Sequence, residues 1–140
     1  MSARAKRLRI NAQLENVEDA CDFVAKFARD IGLDDEAVYH CYLAVEEICT
    51  NIIEHGYRYH GNNKVIDIEC AAKPRGLEII VIDDAEKFNP LNLREPDPAA
   101  PLNDRKTGGW GVYFVRKYMD FIDYQYVQNR NQLIMEKYYN

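Results

Sequence analysis

The apolar residues of this chain recur in two periods, and that alternation restricts the fold more than any other feature. Val17, Ala20, Cys21, Val24, Phe27, Ala28 and Ile31 follow the spacing of a helix. So do Val38, Cys41, Tyr42, Val45, Ile48, Cys49 and Ile52. Before and after them the period is that of strands. Leu8 and Ile10 share one side of Lys6–Ala12, and apolar strand runs follow at Val65–Cys70 and Leu77–Ile82. A striped helix and a one-faced sheet each need the other to exclude water. The spacing therefore predicts an α+β, two-layer α/β sandwich: a mostly antiparallel, mixed sheet with helices on one face.

Local signals set the expected boundaries. The first helix begins at Asn16 or Glu18, runs to about Ile31 and is closed by Gly32. Asp34 is the expected N-cap of the second, which runs to about His55 and stops at Gly56. Lys73-Pro74-Arg75-Gly76 reads as a hairpin turn. Gly108-Gly109 opens a third helix to about Phe121. Two strands follow near Ile122–Gln128 and Gln132–Tyr139, with Asn129-Arg130-Asn131 as their turn. No repeat or linker interrupts the 140 residues, so one domain over 1–140 is expected.

Composition narrows the function classes. A net charge of -5 argues against neutralising a nucleic-acid backbone, and the basic start at Arg4, Lys6, Arg7 and Arg9 is too short to reverse that. No apolar run reaches membrane-spanning length, and no apolar segment follows the basic start as in a secretory signal. Cys21, Cys41, Cys49 and Cys70 lie in apolar segments without C-x-x-C spacing, which reads as reduced core cysteine in a cytoplasmic protein. No direct nucleic-acid or membrane partner is expected.

Three stretches carry chemistry. Along Glu46-Glu47-Ile48-Cys49-Thr50-Asn51-Ile52-Ile53-Glu54-His55-Gly56-Tyr57, helical spacing puts Glu47, Asn51 and His55 on one border of the apolar face. A carboxylate and a carboxamide one turn apart suit a hard cation such as Mg²⁺, and the carboxylate could serve as a general base. The plainer reading is a solvated helix edge. At Val81-Ile82-Asp83-Asp84-Ala85-Glu86-Lys87-Phe88-Asn89-Pro90, a carboxylate leaves the end of an apolar strand. It could accept from an exocyclic amine or cap its own turn. In Thr107-Gly108-Gly109-Trp110-Gly111-Val112, glycines at a helix start open backbone N–H groups to an anion, with Arg105 and Lys106 just before them. The P-loop and dinucleotide-binding spacings are both absent. Between the second and third stretches, about 84–106 is rich in proline and charge, as long functional loops are.

In this order the three stretches resemble the GHKL (Bergerat-fold) ATPase superfamily, and most closely its anti-sigma-factor serine/threonine kinase branch. Glu47 to Tyr57 resembles the branch's E-x-x-x-N-x-x-x-H-x-Y box, Asp83 to Pro90 its D-x-G-x-x-F-[DN]-P box, and Gly108-Gly109-Trp110-Gly111 its G-G-x-G box. The resemblance covers nearly the whole chain. It implies ATP and Mg²⁺ as cofactors, Asn51 as metal ligand, Glu47 as catalytic carboxylate and Asp83 as the adenine contact. Ala85, Phe88, Arg105, Lys106, Thr107, Gly108, Gly109, Trp110, Gly111 and Val112 would complete the nucleotide site, with 92–107 as an ATP lid. His55 matches its box without a derivable role.

The implied activity is partner switching. Such a kinase holds a sigma factor, releases it for an anti-sigma-factor antagonist, and phosphorylates that antagonist on serine or threonine; a homodimer is left open. The chain departs from the family boxes at Ala85, where the family has glycine. Either the methyl group is tolerated or it crowds the base. The second case gives the alternative reading, a catalytically inactive regulatory module that only binds partner proteins.

Overall fold

The computed structural model describes residues 5–60, 62–89, 91 and 115–140. Strand β1 (Ala5–Asn11) is followed by a 3₁₀ turn at Leu14–Asn16 and two helices, α1 (Val17–Asp30) and α2 (Asp35–Asn51). Then come β2 (Val65–Lys73), β3 (Gly76–Asp83), β4 (Phe121–Val127) and β5 (Arg130–Tyr138). The strands form one sheet of order β1-β2-β3-β5-β4, and every pairing is antiparallel rather than mixed.

The two helical stripes do what their period requires. Val24, Phe27 and Ala28 of α1 and Val45, Ile48 and Cys49 of α2 share one buried cluster with Ile66, Ile68, Ile79, Val81, Leu133 and Met135 of the sheet. All four cysteines are free and buried in it. Gly32 lies just past α1 at φ +96°, a left-handed position that glycine takes at low cost. The Asp34 carboxylate caps α2 by accepting from the Ala37 N–H at 2.8 Å. Pro74 and Arg75 form the two-residue turn between Lys73 and Gly76. There the Cβ of any larger residue at 76 would fall 2.1 Å from the Lys137 carbonyl oxygen.

Three boundaries differ from the sequence expectation. The second helix does not continue as α-helix to His55; Ile52–Gly56 is a π turn, closed by the Tyr57 N–H on the Ile52 carbonyl at 2.7 Å. The last hairpin turns at Gln128-Asn129, both left-handed at φ 54° and 63°, not at Asn129-Arg130-Asn131. A two-residue turn of that hand matches strand twist, and it leaves Arg130 and Asn131 inside β5. The third helix ends at residue 118 rather than near Phe121, which already belongs to β4. No described helix is long and apolar enough to cross a membrane.

On the sheet face away from Ile66 and Ile68, β2 carries a carboxylate that the apolar pattern did not flag. The Asp67 side chain is 0% exposed and is met by Arg9 at 2.7 Å, Arg130 at 3.0 Å and Arg7 at 3.3 Å. These arginines hold its carboxyl well below the usual carboxylate range, first through the Arg9 hydrogen bond. The sign of the linkage follows from that depression. Its stabilising contribution is complete above the ordinary aspartate range and is lost as pH falls toward the depressed value. Asp67→Asn should therefore destabilise the protein by roughly 2 kcal/mol near neutral pH. In urea melts across pH, the difference from wild type should shrink as the solution is made more acidic than about pH 4.

Candidate nucleotide site

The site begins at the C-terminal end of α2. Asn51 points from the last turn into the protein and is 0% exposed, yet among the described residues neither its Oδ1 nor its Nδ2 has a hydrogen-bond partner. A buried, wholly unpaired carboxamide destabilises the apo state by about 1–3 kcal/mol per unmet group. Packing gives no reason to keep one, whereas an oxygen-binding cation or a polar ligand does. One turn earlier, Glu47 is half-buried and makes no hydrogen bond or ion pair among the described residues. Burial, then the charges of Glu46 and Glu54, push its carboxyl above the usual range.

The π turn decides what happens to the third member of the stripe. Its extra residue per turn takes His55 off the line of Glu47 and Asn51. His55 is exposed, its Nε2 lying 4.0 Å from the Glu54 carboxylate and its ring 6.4 Å from that of Phe88. It stands apart from the buried Asn51. Beyond it, Arg58 and Tyr59 both take left-handed backbone at φ 53° and 63°, an uncommon conformation for bulky residues.

The second wall is the end of β3. Asp83 is 3% exposed, and burial pushes its carboxyl above the usual aspartate range. Its Oδ1 accepts from the Ala85 N–H and from Asn131 Nδ2, each at 2.9 Å. Its Oδ2 takes no hydrogen bond among the described residues. Asp83 thus caps its own turn with one oxygen and keeps the other available. Tyr57 braces the same turn. Its hydroxyl donates to the Val65 carbonyl at 2.7 Å and accepts from the Asp84 N–H at 2.9 Å, with burial pushing the phenol up to about 12.

Ala85 does not have the left-handed backbone for which glycine would be needed. Its φ is not positive, and its methyl is buried against the π turn. A Cβ built on Gly56 would lie 3.3 Å from that of Ala85. The methyl therefore fills space that Gly56 leaves vacant.

Asn131 is the residue that sequence reasoning missed. Read as a turn residue, it is 3% exposed on the core face of β5, paired with Asp83. Its signal was available: Asn131, Leu133 and Met135 alternate onto one face, so a polar side chain stands where the pattern demands an apolar one. Phe88 is placed, its N–H donating to Asn131 Oδ1 at 2.9 Å. The remaining expected positions, Arg105, Lys106, Thr107, Gly108, Gly109, Trp110, Gly111 and Val112, lie outside the described residues, as does the expected lid over 92–107.

With this geometry in hand, the chain can be set beside known proteins. A family model described as the histidine kinase-like ATPase domain matches residues 10–137. The chain is 27% identical over 140 residues to the serine-protein kinase RsbW of Bacillus subtilis, covering 95% of this chain and 84% of that one. It is 28% identical over 104 residues to the serine-protein kinase RsbW of Halalkalibacterium halodurans, covering 71% of this chain and 62% of that relative's length. Among solved structures, the RsbU and RsbW domains of a Mycobacterium tuberculosis protein superpose with a TM-score of 0.64 at 15% identity. That match covers 95% of this chain and 32% of the other, and it shows a shared fold.

Two measurements check the site as built. Asn51→Leu removes the unpaired amide without removing volume, so it should raise the melting temperature of the ligand-free protein by a few degrees. Gly56→Ala should destabilise by about 1–3 kcal/mol through overpacking against Ala85, and adding Ala85→Gly should recover most of the loss. A double-mutant cycle without coupling would show that the two residues do not share the space.

Proposed function

The chain belongs to the histidine kinase-like ATPase domain family, and from that premise we propose that it is an ATP–Mg²⁺-dependent serine/threonine protein kinase. It acts as an anti-sigma factor that phosphorylates its antagonist protein. The observation that carries the reading is the Asn51 carboxamide, fully buried at the end of α2 and unpaired among the described residues. Its oxygen suits Mg²⁺, which takes few protein ligands and keeps phosphate oxygens and water for the rest. Bound Mg²⁺ would supply charge neutralisation across the phosphates.

The chain's own residues account for the remaining steps. Asp83 offers Oδ2 as acceptor for the exocyclic amine of adenine. Glu47, half-buried with a raised pKa, takes the proton from the attacking serine or threonine hydroxyl. As that oxygen bonds to the γ-phosphorus, the bond to the leaving ADP breaks. By resemblance, Gly108, Gly109, Trp110, Gly111 and Val112 supply phosphate-facing backbone, with Thr107, Arg105 and Lys106 beside them. The burial of the Ala85 methyl beside Gly56 supports the active reading over the catalytically inactive alternative. A sigma factor and the antagonist are the proposed partners. The relatives' kinase names support the kinase class, and the resemblance of the three boxes supports the partners.

Titration calorimetry tests the reading directly. ATP should bind with Mg²⁺ and more weakly without it, and Asp83→Asn should lose at least about tenfold in affinity. Glu47→Ala should keep ATP binding but lose 100-fold or more of labelled γ-phosphate transfer to protein, on the order of a general base's contribution. No binding at millimolar ATP with Mg²⁺, or transfer that survives Glu47→Ala, would overturn it.

A further inference from the structure

One side chain holds the turn that follows β3. The Asn131 carboxamide donates from Nδ2 to Asp83 Oδ1 at 2.9 Å and to the carbonyls of Ala85 and Glu86, each at 3.2 Å. Its Oδ1 accepts from the Phe88 N–H at 2.9 Å and from the Tyr124 hydroxyl at 2.5 Å. Both ends of the amide are engaged, and its orientation is set by these partners: reversing it would place nitrogen against the Phe88 N–H and oxygen against Asp83. Asp83 in turn has Oδ1 filled by two N–H donors and Oδ2 free of hydrogen bonds among the described residues.

We propose that Asn131 is a positioning residue that sets base selection: by occupying Asp83 Oδ1 and fixing the 83–88 turn, it presents Oδ2 alone, as an acceptor, to an adenine amine and against guanine. The inference rests on the ATP site proposed above. Guanine carries a carbonyl where adenine carries its exocyclic amine, so an ionised carboxylate repels the one and accepts from the other. A protonated carboxyl would donate to the guanine carbonyl and lose that discrimination. Keeping Asp83 ionised is therefore part of selection.

The surroundings oppose one another on this point. Burial and the Asp84 charge favour the neutral acid; the Asn131 and Ala85 N–H donors and the Arg130 charge favour the anion. Tyr57, Tyr124 and the Cys49 thiol also face this region, and burial pushes each of them up, so they stay uncharged near neutral pH. Of the two N–H donors to Asp83, only Asn131's comes from a side chain, so substitution can remove it.

Asn131→Asp is the discriminating variant, because it keeps the shape and the acceptors for Phe88 and Tyr124 while replacing the donor with a second carboxylate. Asn131→Ala is its companion. Affinities for Mg²⁺–ATP and Mg²⁺–GTP are measured by calorimetry between about pH 5.5 and 8, and Asp83 is titrated by carboxyl ¹³C NMR without nucleotide. In Asn131→Ala the Asp83 midpoint should rise, and the ATP-over-GTP preference should fall by roughly tenfold or more. In Asn131→Asp, ATP affinity should recover as pH is lowered, because a proton shared by the two carboxyls restores the missing donor. The wild type should weaken in the same direction.

Wild type alone also reads the contact: the Asn131 side-chain amide resonances should move as Asp83 titrates and when Mg²⁺–ATP is added. An unmoved midpoint, an unchanged ATP-over-GTP ratio in both variants, or amide resonances indifferent to the titration would overturn the inference and leave the ATP site standing. A moved midpoint with no ATP binding by wild type would instead overturn the ATP reading and leave Asn131's hold on Asp83 intact.

Discussion

The packing of α2 against the sheet is the constraint on which the other features depend. Val45, Ile48, Cys49 and Ile52 are sealed in the same cluster as Ile66, Ile68, Ile79 and Val81. Residues on the border of that stripe have no choice about where they go. Glu47 is carried to the edge of the core, half-dehydrated, and Asn51 is carried fully inside it with no partner among the described residues. A helix that only had to pack would place leucine or alanine there. Burial thus supplies both the raised pKa of Glu47 and the unmet hydrogen bonds of Asn51, the two properties that the proposed chemistry uses.

The second wall shows the same economy with different parts. Asp83 ends a strand whose alternation points it inward, and burying a carboxylate requires donors. The chain provides them from two separated places, the Ala85 N–H of the turn itself and Asn131 Nδ2 of β5, while Tyr57 secures the neighbouring Asp84 N–H and the start of β2. The π turn brings Tyr57 to that position and sets Gly56 against Ala85. On the opposite face of the sheet, Arg130 spans from Asp84 at 2.7 Å to Asp67 at 3.0 Å, so the turn is held from both sides.

Most of the fold was legible from the sequence, because period and punctuation are local. The two stripes, the Asp34 cap, the glycine after α1 and the Pro74-Arg75 hairpin all stand where residue type placed them. The strand-to-turn boundary before β5 was misplaced because Asn129-Arg130-Asn131 looks polar throughout. Only the pairing of Asn131 with Asp83 shows that its amide replaces water for a buried carboxylate. The π turn was illegible for a similar reason. Nothing in Ile52-Ile53-Glu54-His55-Gly56 forbids a regular helix, and the wider turn arises where Tyr57 must reach two strands at once.

The sequence by itself determined the α+β class, the two amphipathic helices, and the residue types at the site: Glu47, Asn51 and Asp83 at motif spacing. Those follow from short-range rules, in which each residue's preference and its neighbours three or four positions away suffice. Tertiary structure alone decided how they are placed. It withdrew His55 from the stripe, turned the Ala85 methyl into the gap at Gly56, and brought Asn131 to within 2.9 Å of Asp83 across 48 residues of chain. Dehydration and hydrogen-bond pairing at that range depend on which surfaces are pressed together, and a linear pattern carries that information only after the sheet has closed over it.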